Sequence, residues 1–134
     1  MFLSIHHVGI AVHDLDAAVA DHEERTGARL HVRRALPEQG VEAAALVLPA
    51  GGEVELLTPL PPGEGPVGRF LERRGEGIHH VAYAVPDIQA ALERCRQQGL
   101  RLVDETPRPG LHGSPVAFLH PAGMYGVLTE LVEL

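Results

Sequence analysis

A segment near the start of the chain recurs in its second half. Ile5-His6-His7-Val8 matches Ile78-His79-His80-Val81, and each copy continues with Ala-Val, then Asp, then Ala-Ala. A second match, between Pro49-Ala50-Gly51 and Pro121-Ala122-Gly123, shows that the repeat extends to the end of each copy. A duplication that repeats a histidine at the same strand position supplies two imidazoles, which converge if the halves pair about a pseudo-two-fold axis. The repeat therefore predicts a metal site.

Each copy shows the pattern of a strand, a helix and three further strands. The alternation of residues 5–12 predicts a strand, and Asp14 and Asp87 are placed to cap the helix that follows in each copy. Extended stretches bounded by Gly and Pro then lie near residues 29–34, 41–48 and 53–58, and again near residues 101–104, 115–120 and 127–133. We predict an α+β fold of two tandem βαβββ units, which form a curved, partly open mixed β-sheet barrel around a metal site.

The length of the chain predicts one domain. Residues 1–134 are enough to bury a core without disulfides. We place repeat 1 at about residues 5–58 and repeat 2 at about residues 78–133. The Pro/Gly-rich linker between them, about residues 59–77, contains a short helical piece near residues 67–74.

The composition limits the partners of the protein. A net charge of −7 argues against binding to nucleic acid or to an anionic membrane surface, because both require a positive field. No apolar run approaches the roughly 20 residues of a membrane span, and the first residues lack a signal-like pattern. We therefore expect a soluble, cytoplasmic protein. The single cysteine, Cys95, cannot form an internal disulfide and is predicted to be a small core residue.

Alternation along the two duplicated strands separates the histidines. His7 shares a face with Gly9 and Ala11, and His80 shares one with Ala82 and Ala84. His6 and His79 lie on the bulkier faces, which suit packing under a helix. The faces with small residues leave room for a ligand, so we select His7 and His80 as metal ligands.

The last strand of each copy supplies a carboxylate, Glu55 in the first and Glu130 in the second. Glu130 alternates with Leu128 and Val132, so it projects from an apolar face, where an unpaired carboxylate would cost several kcal/mol on a typical scale. A bound metal would remove that cost. Two histidines and two glutamates leave two octahedral positions open, and this donor set suits Co²⁺, Mn²⁺, Ni²⁺, Zn²⁺ or Fe²⁺.

The motifs and their order resemble a known family. They are His6-His7-Val8-Gly9-Ile10-Ala11-Val12, Glu38-Gln39-Gly40-Val41, Val54-Glu55-Leu56-Leu57, Gly77-Ile78-His79-His80-Val81-Ala82, Phe118-Leu119-His120-Pro121 and Gly126-Val127-Leu128-Thr129-Glu130-Leu131. Together they resemble the methylmalonyl-CoA epimerase family of the vicinal oxygen chelate (glyoxalase/bleomycin-resistance/dioxygenase) superfamily, over nearly the whole chain.

The resemblance implies a site, a reaction and partners. The metal positions of the family fall on His7, Glu55, His80 and Glu130, and cobalt is the metal that it favours, with Mn²⁺, Ni²⁺ or Zn²⁺ as alternatives. The implied reaction interconverts (2R)- and (2S)-methylmalonyl-CoA by abstraction of the C2 proton through a metal-stabilised enediolate. The substrate would be an acyl-CoA, and the protein a homodimer.

The acid/base residues are only partly specified. The resemblance gives Glu130 a dual role as ligand and base, whereas the second base of some relatives falls on Ala43, one residue after Glu42. We take Glu42 as the candidate and keep Glu38, His112 or a metal-side water as alternatives.

Many relatives also have lysine where this chain has Ser114. Local positive charge for the CoA phosphates could come from arginines, namely Arg33, Arg34, Arg69, Arg73 and Arg74.

Other functions could use the same scaffold, because function lives in the site rather than in the fold. A glyoxalase-like lyase or a metal-dependent oxygenase would share much of the metal set. Iron oxygenases typically use two histidines and one carboxylate, so Glu55 as a fourth ligand favours isomerase or lyase chemistry. A small-molecule-binding protein without enzymatic activity would need a groove but no metal.

Overall fold

The computed structural model describes residues 1–134, which form eight strands and three helices. The strands are β1 (Ser4–Ala11), β2 (Arg29–Leu36), β3 (Val41–Val47), β4 (Glu53–Pro59), β5 (Gly77–Val85), β6 (Arg108–Pro109), β7 (Pro115–Leu119) and β8 (Thr129–Glu133). The helices are α1 (Leu15–Thr26), α2 (Gly65–Arg74) and α3 (Ile88–Gln97), and 3₁₀ turns occupy Pro37–Gln39 and Pro121–Met124. None of the helices has the length and hydropathy that a membrane-spanning helix needs.

The chain divides into two compact units with the same topology. The first unit comprises residues 7–79, and the second comprises residues 1–6 and 80–134. In the first unit the strand order is β2-β3-β4-β1, and in the second it is β6-β7-β8-β5. The pair β1 and β4 is parallel, as is the equivalent pair β5 and β8, and the remaining neighbours are antiparallel. This repetition confirms the α+β class and the two βαβββ units, whereas the single domain stays a prediction.

The predicted caps fix where the equivalent helices begin. An oxygen of Asp14 accepts a hydrogen bond from the backbone N–H of Ala17 at 3.1 Å, and Asp87 accepts one from Ala90 at 3.0 Å. Each bond satisfies a donor that has no partner inside the helix. Helix α1 ends at Gly27, whose φ of 76° lies in the left-handed region that glycine adopts at low cost.

Each helix packs on one face of the strands of its own unit. In the first unit, Leu15 and Val19 of α1 join Ala44, Leu46 and Leu56 in one buried cluster. In the second unit, the equivalent cluster contains Ile88, Leu92, Cys95, Leu119 and Leu131. Cys95 is therefore a core residue, as predicted, and burial raises the pKa of its thiol.

The strand predicted near residues 101–104 does not form. Only a single bridge joins Leu102 to Leu119. The N–H groups of Val103 and Asp104 both point at the carbonyl of Phe118, at 2.9 and 3.2 Å, and the Asp104 carboxylate accepts the N–H of Phe118 at 2.9 Å. A side chain thus replaces the backbone acceptor that a ladder would require. The edge strand forms later, at β6, where Arg108 pairs with Val116.

Candidate metal-binding residues

The first unit brings His7 and Glu55 together. The parallel register of β1 and β4 places Gly9 opposite Glu55, two residues after His7. The Nε2 atom of His7 lies 3.3 Å from an Oε atom of Glu55. Both residues are buried, as are Gly9 and Ala11, whereas His6 and Val8 are only half-buried. The structure therefore buries the histidine that lies on the face with small residues, and the role of His7 as a metal ligand stays a prediction.

The second unit repeats this arrangement with His80 and Glu130. Here the parallel register of β5 and β8 places Ala82 opposite Glu130, again two residues after the histidine. The Nε2 atom of His80 lies 3.3 Å from the Oε1 atom of Glu130, and both residues are buried. The duplicated sequence therefore produces the same local geometry in each unit.

The chemistry of each pair fits a metal ion. A charge-assisted hydrogen bond between a nitrogen and a carboxylate is shorter, at about 2.7–2.9 Å. A separation of 3.3 Å is instead close to the spacing of two ligand atoms that each lie about 2.1 Å from one ion. Since an ionised carboxylate is costly to bury without a compensating charge, each buried histidine and glutamate pair could supply two ligands to a divalent cation.

Phe118 forms a wall beside the pair of the second unit. The antiparallel register of β7 and β8 places Phe118 opposite Glu130, and the Phe118 ring meets the His80 ring edge to face, with centroids 5.5 Å apart. Ala82, Val116 and Val132 form a small buried cluster in the same unit. The sequence analysis used Phe118 only as part of a motif. Its alternation with Ala117 and Leu119, which belong to the helix-side cluster, was the signal that placed it beside Glu130.

Glu42 lies on the other side of its sheet. The continuous register of β3 and β4 pairs Ala45 with Glu55, so Ala43 and Ala45 lie on the Glu55 side, whereas Glu42 alternates with them. The Glu42 carboxylate accepts a hydrogen bond from Nε of Arg33 at 3.0 Å. The ladder between β3 and β4 contains no bulge that would turn the Glu42 side chain to the Glu55 side. This placement argues against Glu42 as a base on the Glu55 side, and its catalytic role stays a prediction.

The remaining candidates lie in turns, on strand β2 or on helix α2. Glu38 is exposed in the first 3₁₀ turn, and the carbonyl of Ser114 accepts the N–H of Gly110 in the turn between β6 and β7. The ring of His112 meets that of His6, with centroids 5.4 Å apart. Arg33 is held by Asp16 and Glu42, and its hydrogen bonds to these carboxylates raise its pKa, Glu42 having the largest effect. The other arginines that were predicted to supply positive charge for the CoA phosphates are exposed, namely Arg34, Arg69, Arg73 and Arg74.

Comparison with known proteins places the chain in a family. The family model of the Glyoxalase/Bleomycin resistance protein/Dioxygenase superfamily matches residues 6–118. The ethylmalonyl-CoA/methylmalonyl-CoA epimerase of Cereibacter sphaeroides is 42% identical over 133 residues, which cover 97% of each chain. The chain belongs to the methylmalonyl-CoA epimerase family of this superfamily.

Solved structures of the epimerase family agree with this assignment. The methylmalonyl-CoA epimerase of Mycobacterium tuberculosis matches with a TM-score of 0.94 and 39% identity, over 98% of this chain and 88% of that one. A variant of the Streptomyces coelicolor methylmalonyl-CoA epimerase, in complex with 2-nitronate-propionyl-CoA, matches with a TM-score of 0.92 and 38% identity, over 99% and 98%. The resemblance stated from sequence motifs is thereby confirmed.

Proposed function

We propose that this protein is a metal-dependent epimerase that interconverts (2R)- and (2S)-methylmalonyl-CoA. The observation that carries the proposal is the 42% identity to an epimerase over 97% of both chains. The complex of the Streptomyces coelicolor enzyme with 2-nitronate-propionyl-CoA supports an acyl-CoA as the substrate. The buried histidine and glutamate pair of each unit supports a metal-assisted reaction.

We infer that His7, Glu55, His80 and Glu130 hold one divalent ion. The two pairs occupy equivalent positions of the repeat and have the same separation of 3.3 Å, which supports a shared role. Imidazole nitrogens and carboxylate oxygens suit Co²⁺, Mn²⁺, Ni²⁺ and Zn²⁺, and cobalt is the first expectation. When bound, such an ion supplies a Lewis acid that favours negative charge on the thioester oxygen of the substrate.

Glu130 is the proposed base on one side of C2. The C2 proton of methylmalonyl-CoA lies between a thioester carbonyl and a carboxylate, so its removal spreads charge over a planar group. A base must lie within hydrogen-bond reach of that proton. The apolar residues around Glu130, including Phe118 and Val132, limit the access of water to its carboxylate. Glu130 would hold the proton there until it returns to the substrate.

Epimerisation also requires a group that exchanges a proton on the opposite side of C2. Glu42 was predicted for this role, and its contact with Arg33 on the α1 side of the sheet weighs against it. Glu38, His112 and a metal-side water are the alternatives from the sequence. Each of these residues is substituted in turn, and the rate of proton exchange at C2 is measured separately for the two stereoisomers. The second group is identified in this way, because loss of a base slows proton removal from the stereoisomer that this base deprotonates.

The deciding experiment measures exchange at C2. Metal-loaded protein is incubated with (2R)- or (2S)-methylmalonyl-CoA in D₂O, and the deuterium at C2 and the ratio of stereoisomers are followed. We expect deuterium incorporation with racemisation, which EDTA abolishes and which His80→Ala reduces by at least a hundredfold. The His79→Ala variant, on the other face of the same strand, is the matched control.

A folded, metal-loaded protein without exchange would reject the epimerase assignment. The same preparation would then be offered a hemithioacetal, for glyoxalase chemistry, and a catechol with oxygen, for dioxygenase chemistry.

The homodimer implied by the resemblance stays a prediction, and light scattering of the metal-loaded protein measures the oligomeric state.

A further inference from the structure

Arg108 belongs to the wall beside the His80 and Glu130 pair. The Cζ atom of Arg108 lies 5.8 Å from the centroid of the Phe118 ring, a cation–π geometry. The same ring meets His80 at 5.5 Å. In the sheet of the second unit, Arg108 pairs with Val116 and Phe118 pairs with Glu130, so these side chains share one side of the sheet. The Arg108 guanidinium and the His80 ring therefore contact the same aromatic ring, that of Phe118.

Asp104 forms an ion pair with this guanidinium. The Nη2 atom of Arg108 lies 3.5 Å from the Oδ2 atom of Asp104, and the same oxygen accepts the N–H of Phe118 at 2.9 Å. The Arg108 side chain keeps 30% of its surface exposed, whereas Asp104 keeps 15%. Its head group is therefore positioned by protein contacts while part of it stays accessible from solvent.

The other arginines of the second unit lie elsewhere. Arg94 and Arg96 are on α3, which packs on the opposite side of the sheet, and Arg101 is exposed after that helix. Arg96 contacts Glu93 and Glu105 at the surface. Because the protein has a net charge of −7, an anionic substrate group beside Glu130 depends on positive charge that is supplied locally, by the proposed metal ion and by basic side chains. Arg108 is the arginine of this unit that lies on the Glu130 side of the sheet and can add to the charge of the ion.

We propose that Arg108 binds the free carboxylate of the acyl group and so makes the site selective for CoA thioesters of dicarboxylic acids. This inference rests on the proposed function, whose substrate carries a carboxylate on C2. A guanidinium presents five N–H donors in a planar fork that matches a carboxylate, so it can contact Asp104 and a substrate carboxylate together. Because Arg108 and His80 contact the same Phe118 ring, the position of the guanidinium suits a carboxylate that is attached directly to the reacting carbon.

The test compares ligands that differ only in the acyl group. Binding of malonyl-CoA, propionyl-CoA and free CoA to the metal-loaded protein is measured by calorimetry for the wild type, Arg108→Gln and Arg108→Lys. We expect Arg108→Gln to weaken binding of malonyl-CoA by roughly ten- to a hundredfold, the usual loss for a charged hydrogen bond. Binding of propionyl-CoA and of CoA should change less than about twofold, and Arg108→Lys should retain part of the preference.

The control is Arg96→Gln, which also removes an arginine that contacts carboxylates but lies on the α3 side of the sheet. An equal loss for all three ligands would assign Arg108 to the CoA phosphates and overturn the proposal, and unchanged binding of malonyl-CoA would overturn it as well. If Arg108→Gln fails to fold, the test uses Arg108→Lys instead and compares its ratio of affinities for malonyl-CoA and propionyl-CoA with that of the wild type. A smaller ratio is expected, and an unchanged ratio would overturn the proposal. These ligands need no turnover, so a wild-type protein that selects malonyl-CoA without epimerising its substrate would separate the two proposals.

Discussion

The Nε2 atom of His80 lies 3.3 Å from the Oε1 atom of Glu130, in a part of the second unit where both side chains are buried. The first unit reproduces this separation with His7 and Glu55. In each unit the register of a parallel strand pair sets the distance, because the glutamate is opposite the residue two positions after the histidine. The same separation in both units indicates that the two pairs have a common role, which core packing within either unit does not explain.

Glu130→Gln should lose both metal binding and activity. The substitution keeps the size of the side chain and removes the charge of the proposed ligand and base. We expect the affinity for Co²⁺ to fall by at least the roughly ten- to hundredfold typical of changes around metal ligands, and kcat to fall by about 10³ or more because proton transfer is lost as well. Competition with a chromogenic chelator and the C2 exchange assay measure the two effects.

The matched control is Glu133→Gln, on the same strand but on its other face, where the carboxylate accepts the N–H of Ile88 at 2.9 Å. A glutamine oxygen can accept the same bond, so metal affinity and kcat should be preserved. Equal losses in Glu130→Gln and Glu133→Gln would contradict a specific role for Glu130.

Removal of the metal should lower the thermal stability. A ligand that binds only the folded state at a hundred times its Kd stabilises that state by about 2.7 kcal/mol. We expect EDTA to lower the Tm of the wild-type protein by several degrees, and excess Co²⁺ to restore it. His80→Ala should show a much smaller change with EDTA, and an equal change would place the metal elsewhere.

Glu42→Gln should have a modest effect. Its carboxylate pairs with Arg33 on the α1 side of the sheet, and such partly exposed ion pairs contribute at most about 1 kcal/mol. We expect kcat to fall less than about tenfold, since the side chain does not share a face with Glu55. A loss of a thousandfold, with Co²⁺ affinity unchanged, would instead assign Glu42 to the second proton transfer.

Gly68→Ala should destabilise the protein. A Cβ at this position of α2 would lie 2.6 Å from the carbonyl carbon of Gly63, which is backbone and cannot move aside as a side chain could. We expect a loss of roughly 1–3 kcal/mol of unfolding free energy, as for overpacking elsewhere. Urea denaturation measures it. In Gly77→Ala the added Cβ meets nothing within 4 Å, so this variant should retain its stability.

Cys95 should resist thiol reagents in the folded protein. Burial raises the pKa of its thiol, so at a given pH less of the reactive thiolate is present than in the unfolded chain. We expect a disulfide reagent to label Cys95 only when denaturant unfolds the protein. Rapid labelling under native conditions, at a rate independent of unfolding, would contradict its place in the core beside Leu92 and Leu119.

The sequence was sufficient for the features that depend on local pattern. The duplication predicted two βαβββ units because a repeated pattern of caps, periodicity and turns yields the same elements twice. Alternation separated His7 and His80 from their neighbours His6 and His79 because successive side chains of a strand point to opposite faces. The structure buries both selected histidines, and their role as metal ligands stays a prediction. The motifs also identified the family, which the comparisons confirmed.

Tertiary structure decided the features that depend on register and on side chains that replace backbone partners. The register of β3 and β4 is continuous and places Glu42 away from the Glu55 side, whereas alternation in the sequence alone does not reveal whether a bulge intervenes. The Asp104 carboxylate takes the place of a backbone acceptor next to Phe118, and the edge strand forms at β6, where Arg108 lies over the Phe118 ring. Local pattern specifies which face a residue takes along its own strand, but the pairing between strands distant in sequence specifies which residues meet.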